Sequence, residues 1–172
     1  MKRMTWISLV LALCIVNWFP LSIAAQIGKR LTSERKVIKD PVTGIDLVFL
    51  TSTPKGDSKI YQTHNQWTSD GKWLIFRSNR VPDEAMAVNE ESGELVQVTE
   101  GGYIGMLNIA RKSMKLYFMR KPIEKGSENG SMEIVEVDLA KVFADSQAGQ
   151  MEDRSAYERV CGITPPELRA GG

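Results

Sequence analysis

The sequence predicts an all-β chain built from a repeated four-stranded unit, and three observations carry that expectation. Short runs rich in β-branched and aromatic residues alternate with turn residues from residue 45 to residue 138. "WLIF" at 73–76 is apolar at four successive positions, so that strand needs protein against both of its faces. The pattern then recurs: Leu74-Ile75-Phe76 aligns with Leu116-Tyr117-Phe118 at an offset of 42, which also places Trp67 over Ile109 and Thr68 over Ala110. A spacing near 42 with four strands per unit is the period of propeller blades. The expected fold is therefore a partial β-propeller of about two to three four-stranded blades in an incomplete ring, with a short helical or irregular C-terminal segment. The competing arrangement is a chance pair of hairpins in a small sandwich.

The elements follow in chain order. Residues 1–25 set Lys2 and Arg3 before an apolar stretch from Trp6 to Val16, then Pro20 and small residues. That is the plan of a secretory signal peptide, with cleavage after Ala24 or Ala25. Asn17 and Pro20 interrupt the apolar run of roughly 20 residues that a membrane-spanning helix needs. The chain is thus expected to be exported, periplasmic or secreted, with no stable membrane span after cleavage.

Residues 26–58 read as an extended or loosely held polar lead followed by a first strand, "IDLVFLTS" at 45–52. The first repeat unit occupies 59–101: a strand at 61–68, a tight turn at "SDGK", and strands at 73–78, 84–89 and 94–99. Asp70-Gly71 suits the primed hairpin turns, whose positive φ glycine adopts freely and aspartate tolerates. The second unit covers 102–140. Its turn departs from the first, Lys112-Ser113 replacing Asp70-Gly71, and "EKGSENG" is inserted before "MEIVEVD". Residues 141–172 read as a short helix interrupted by Gly149, then loop and turn residues with no closing strand. Each blade has apolar surface on both faces and two units cannot close a ring, so missing blades or self-association are expected to cover them.

Composition narrows the function. The chain is 42% hydrophobic and 25% charged, an ordinary globular balance that argues against disorder. Without Lys2 and Arg3, the 22 basic side chains fall just below the 21 acidic ones, for a formal charge of −1 and no block of like charge. No nucleic-acid partner is indicated. Outside the leader the one cysteine is Cys161, read first as a small buried apolar residue, with a free thiol or an intermolecular partner as alternatives. "NGS" at 129–131 is a turn, or a glycosylation acceptor in a eukaryotic secretory route.

"NQWTSDGKWLIFRSNR" followed by "AMAVNEESGELVQVTEG" resembles the blade repeat of TolB-type propellers, a motif that carries fold and no chemistry. "SERKVIKDPVTGIDLVFLTSTP", the segment 61–80, "VTEGGYIGMLNIARKSMKLYFMR" and "YERVCGITPPELRAGG" together resemble the N-terminal portion of oligogalacturonate lyase-type proteins, over roughly residues 33–172. That resemblance implies part of a seven-bladed, manganese-dependent enzyme that cleaves short pectin oligomers by β-elimination. Such chemistry requires a base to take the proton beside the uronate carboxylate and a cation to stabilise the charge that develops. In the family a catalytic histidine and a histidine-rich metal site lie in later blades, and no position here matches them. The sequence therefore offers no catalytic or metal-binding residue, and manganese is expected of the complete family enzyme rather than of this chain alone.

Four residues are candidates for binding an acidic oligosaccharide. His64 and Asn65 lie on or just ahead of the unit's first strand, which in a propeller lines the central channel. Arg77 and Arg80 lie at the exit of the next strand, where a guanidinium fork can pair with a carboxylate. The alternative for each is structural: a hydrogen-bonded histidine and surface arginines. Trp67 and Trp73 are expected in the core rather than under a sugar ring, and Tyr61 as a packing aromatic. The rival function is a non-catalytic TolB-type propeller binding protein partners in the cell envelope.

Overall fold

A computed structural model describes residues 25–122 and 130–167. The signal peptide read at 1–25 lies essentially outside them, as do Asn129 and most of the insertion at 124–130. The described chain is mostly β with one α-helix, in three sheets, none of them closed.

The first sheet has the order β1-β7-β6-β5-β4, all neighbours antiparallel. Its members are β1 (Arg30–Leu31), β4 (Ser58–Lys59), β5 (Trp73–Arg77), β6 (Ala85–Asn89) and β7 (Leu95–Gln97). The second sheet has the order β11-β10-β9-β8, from β8 (Ile104–Ile109), β9 (Lys115–Arg120), β10 (Glu133–Asp138) and β11 (Glu158–Ile163). A separate hairpin joins β2 (Lys36–Lys39) to β3 (Asp46–Phe49).

The 42-residue offset is present in the backbone. Trp67 bridges Leu74 as Ile109 pairs with Leu116. The Thr68 N–H donates to the Trp73 carbonyl at 2.9 Å, and the Ala110 N–H to the Lys115 carbonyl at 3.0 Å. The "WLIF" strand is covered on both faces: Trp73 and Ile75 join the core between the two sheets, while Phe76 and Leu74 join a smaller cluster behind the first sheet with Met86, Val88 and Leu95. The inter-sheet core continues through Leu107, Leu116, Phe118, Val135 and Val137 to Leu139, Val142 and Phe143 of α1 (Leu139–Ala148). Each large side chain removed from water there contributes on the order of 1.5–3 kcal/mol.

Several elements differ from the sequence expectation. The segment 61–68 is not one strand. Lys59 faces Phe76 and Trp67 faces Leu74, so residues 60–66 leave the sheet as a loop and only its two ends pair with β5. The loosely held lead is anchored: Ile27 is fully buried, the Gly28 N–H reaches the Gln97 carbonyl (2.8 Å), and Arg30–Leu31 lies against β7 with Arg30 paired to Glu94 (2.6 Å). A two-residue strand is too short for any periodicity to register. Residues 158–163, read as irregular, form β11, which completes the second sheet where no closing strand was expected. Its sequence "ERVCGI" has no alternation, because both faces of this edge strand remain partly in solvent. Cys161 is correspondingly exposed rather than buried.

The helix obeys its local signals. The Asp138 carboxylate caps it by accepting the Lys141 N–H (3.1 Å), and Gly149 ends it in the left-handed conformation at φ 68°. The turn after Thr68 is tight, but not a primed one. Gly71 has φ 71°, whereas Asp83 is the single non-glycine residue with positive φ among those described. Asp70 instead accepts from Thr68 Oγ1 (2.6 Å) and from the Lys72 N–H (3.1 Å), fixing the loop by side chain. A Cβ on Gly71 would meet open space, so Gly71→Ala isolates the backbone penalty. It is expected to cost about 1 kcal/mol in chemical denaturation.

Candidate functional site

The antiparallel pairing of β5 with β6 brings the exit of one strand beside the entry of the next, with Arg77 opposite Ala85. The entry to β8 comes to the same place, because the Tyr103 N–H donates to the Asp83 carbonyl (3.3 Å). These ends enclose a cleft of about 380 Å3 lined by Arg77, Asn79, Asp83, Glu84 and Tyr103 among others.

Arg77 donates through one terminal nitrogen to the Gly105 carbonyl (3.2 Å), while its Nε is shielded from solvent and has no partner within the protein. Asn79 is seated by its neighbour Gly56, where a Cβ would come 2.6 Å from the Asn79 amide nitrogen. Gly56 also sits at φ 64°, so glycine is required there twice over.

Two features shape the floor of the cleft. Asp83 is held at φ 62°, a conformation that side chains other than asparagine, aspartate and glycine seldom adopt. Beside it Glu84 is buried, its carboxylate accepting from Thr99 Oγ1 (2.6 Å) and the Gly102 N–H (2.9 Å). Burial pushes the Glu84 carboxyl above its usual range, against the pull of those hydrogen bonds, and Glu100 adds to the rise. Burial likewise raises the Tyr103 phenol, with Arg77 opposing and Glu84 and Asp83 reinforcing. The cleft thus sets one guanidinium, with a terminal nitrogen on the Gly105 carbonyl, beside an amide, a phenol and the Asp83 carboxylate, a mixed donor and acceptor set of the kind that binds a polar, hydroxyl-bearing ligand.

The four sequence candidates fall in three places. Arg77 lies in this cleft. Arg80 does not: its guanidinium binds both Glu34 oxygens (3.1 and 2.6 Å), Asp57 and Ser78 Oγ (2.7 Å), and its side chain is 4% exposed. His64 and Asn65 lie in the 60–66 loop and line a different cleft with Arg111. Trp73 is core, stacked on Phe143 at 4.1 Å and 10°. Asn79, Asp83, Glu84 and Tyr103 were not singled out from sequence. Glu84, a carboxylate opening the apolar run "AMAV", was the available signal. Among the described residues no three histidine, cysteine, aspartate or glutamate side chains gather as metal ligands, and the single histidine stands apart from the carboxylates of the cleft. These residues do not fit a divalent metal.

No protein-family model matches the chain, and no curated protein matches it. Solved structures do. An oligogalacturonate lyase from Vibrio parahaemolyticus superposes with a TM-score of 0.54 at 22% identity, over 68% of this chain and 29% of that one. An oligogalacturonate lyase in complex with manganese gives a TM-score of 0.54 at 19% identity, over 69% and 30%. The chain spans less than a third of the length of either lyase. The resemblance read from the sequence is matched in three dimensions: the chain shares its fold with part of an oligogalacturonate lyase.

Proposed function

We propose that the chain is the N-terminal segment of an exported, oligogalacturonate lyase-like β-propeller, its two sheets serving as blades of a ring that further sequence completes. In that form it acts on pectin-derived oligogalacturonides by β-elimination. The observation that carries the reading is the shared fold with two oligogalacturonate lyases over about two-thirds of the chain. The Arg77 cleft agrees with it chemically.

Within this reading the residues of the chain bind and orient. The Arg77 guanidinium takes the uronate carboxylate, which places positive charge beside the carbon that loses its proton. Asn79 and Tyr103 offer hydrogen bonds to ring hydroxyls, and Asp83 accepts from them. Manganese accompanies one of the two lyases, but the described residues here do not fit it, so no step is assigned to a metal in this chain.

The test uses the complete gene product, incubated with digalacturonate and manganese and followed by the ultraviolet absorbance of the unsaturated product. Absorbance is expected to rise, and Arg77→Ala to lower kcat/KM by roughly 100-fold with folding retained. A folded complete protein that yields no absorbing product overturns the assignment.

A further inference from the structure

We propose that His64 and Arg111 form a binding site for a small oxyanion, carboxylate or phosphate, at the end of the sheets opposite the Arg77 cleft. The site does not depend on the lyase reading. It lies where the turn after Thr68 meets the corresponding turn of the second unit, in a cleft of about 500 Å3. Under the 42-residue offset, Arg111 occupies the position that Ser69 holds in the first turn, and both line the cleft.

The electrostatics are one-sided. Thr63, Asn65 and Ser69 accompany His64 and Arg111, and no aspartate or glutamate lines the cleft. The neighbouring carboxylate, Asp70, is turned away onto Thr68 Oγ1 and the Lys72 N–H. Arg111 is exposed, and no acceptor among the described residues engages its guanidinium. A chain with nearly balanced charge thus leaves one basic hollow unneutralised.

The imidazole is set to donate. Its position is held by the His64 N–H bond to the Tyr61 carbonyl (3.2 Å) and by the Tyr61 ring, 5.1 Å away. His64 Nδ1 is out of contact with solvent and has no partner, so a proton there would be a buried N–H without an acceptor. On the proposal the neutral ring carries its proton on Nε2, which makes no hydrogen bond among the described residues and, unlike Nδ1, is not closed off from solvent. An oxyanion seated between Nε2–H and the Arg111 fork satisfies both donors. The Asn65 amide, fixed on the Trp67 carbonyl (2.5 Å), keeps the loop closed behind it.

His64 is the one histidine of this sequence, and its ring resonances are identified in the complete gene product by their loss in His64→Gln. The test records 1H–15N correlations of the imidazole at fixed pH and ionic strength, adding sodium phosphate, sodium galacturonate or, as a neutral control, galactose. The free protein is expected to show the Nε2–H tautomer. At least one anion is expected to shift the ring signals saturably, with half-saturation on the order of 1–10 mM. Arg111→Gln, on an exposed turn and without a partner, is expected to raise that concentration about tenfold at an unchanged melting temperature. Saturation by phosphate alone or by galacturonate alone identifies the ligand source. No saturable shift with either anion, an equal response to galactose, or an unchanged response in Arg111→Gln overturns the site.

Discussion

Replacing Arg120 with alanine is expected to lower the unfolding free energy by about 3–5 kcal/mol, read as a fall in the urea midpoint at constant slope. Arg120 ends β9 with its side chain 6% exposed, and it binds the Glu133 carboxylate (2.8 Å) and Glu158, itself 4% exposed. Arg154 approaches Glu158 from the 3-10 turn at 2.9 Å. One guanidinium thus ties β9, β10 and β11 together. The loss is large because of what remains. Burial already pushes the Glu158 carboxyl above its usual range despite Arg120 and Arg154, and its second oxygen has no partner in the protein. Without Arg120 that burial is opposed by Arg154 alone.

The sign with pH follows. A carboxyl raised by folding is stabilising when protonated, so the deficit of Arg120→Ala should shrink as pH falls towards the ordinary carboxylate value of 4.5. The double substitution Arg120→Ala/Glu158→Gln should recover about 1–2 kcal/mol at neutral pH. A deficit that is independent of pH and of Glu158 would place the cost in lost packing instead.

This cluster also shows where sequence reading stops. The strands that build the sheets were legible because Leu74 and Leu116 open matching apolar runs, and their pairings with Trp67 and Ile109 keep the same offset. β11 was not, since a 10-residue helix and a 3-10 turn separate it from β10 and its pairing rests on main chain and on charges such as Arg159–Glu136. The candidate site was half legible for a similar reason. His64 and Arg77 lie close in sequence, but β5 runs straight from the Trp73 end to Arg77, carrying the arginine ~13 Å away from the turn beside His64. The residues that do meet Arg77 arrive from later connections, Asp83 before β6 and Tyr103 before β8, and no local pattern announces such a meeting.

Arg80→Ala is the complementary case, expected to cost about 3 kcal/mol and to release one element in particular. Glu34 accepts both from Arg80 and from the Ser52 (3.0 Å) and Thr53 (2.9 Å) N–H groups, so it pins both ends of the β2–β3 hairpin to the loop after β5. Besides Glu34, the hairpin is held at its ends by Leu50 against the smaller cluster and by Arg35 Nε on the Glu90 carbonyl (3.2 Å), while Val37, Ile38, Leu47, Val48 and Phe49 are each 41–48% exposed. Hydrogen exchange in Arg80→Ala should therefore accelerate in the hairpin well beyond the rest of the protein. Burial opposes the Glu34 charge, but Arg80 and the two N–H groups outweigh it and hold its pKa at about 2, below the ordinary 4.5. A depressed carboxyl stabilises above the unfolded value and loses that contribution as pH falls, here across the window from about 4.5 to about 2. The wild type should weaken through this window and Arg80→Ala much less. An arginine kept for ligand would do the reverse, sparing stability and hairpin exchange while weakening substrate binding. With its guanidinium divided among Glu34, Asp57 and Ser78, Arg80 has its donors committed to the fold, whereas the Arg77 guanidinium makes one bond among the described residues, to the Gly105 carbonyl (3.2 Å), which is why the proposed ligand role falls to Arg77.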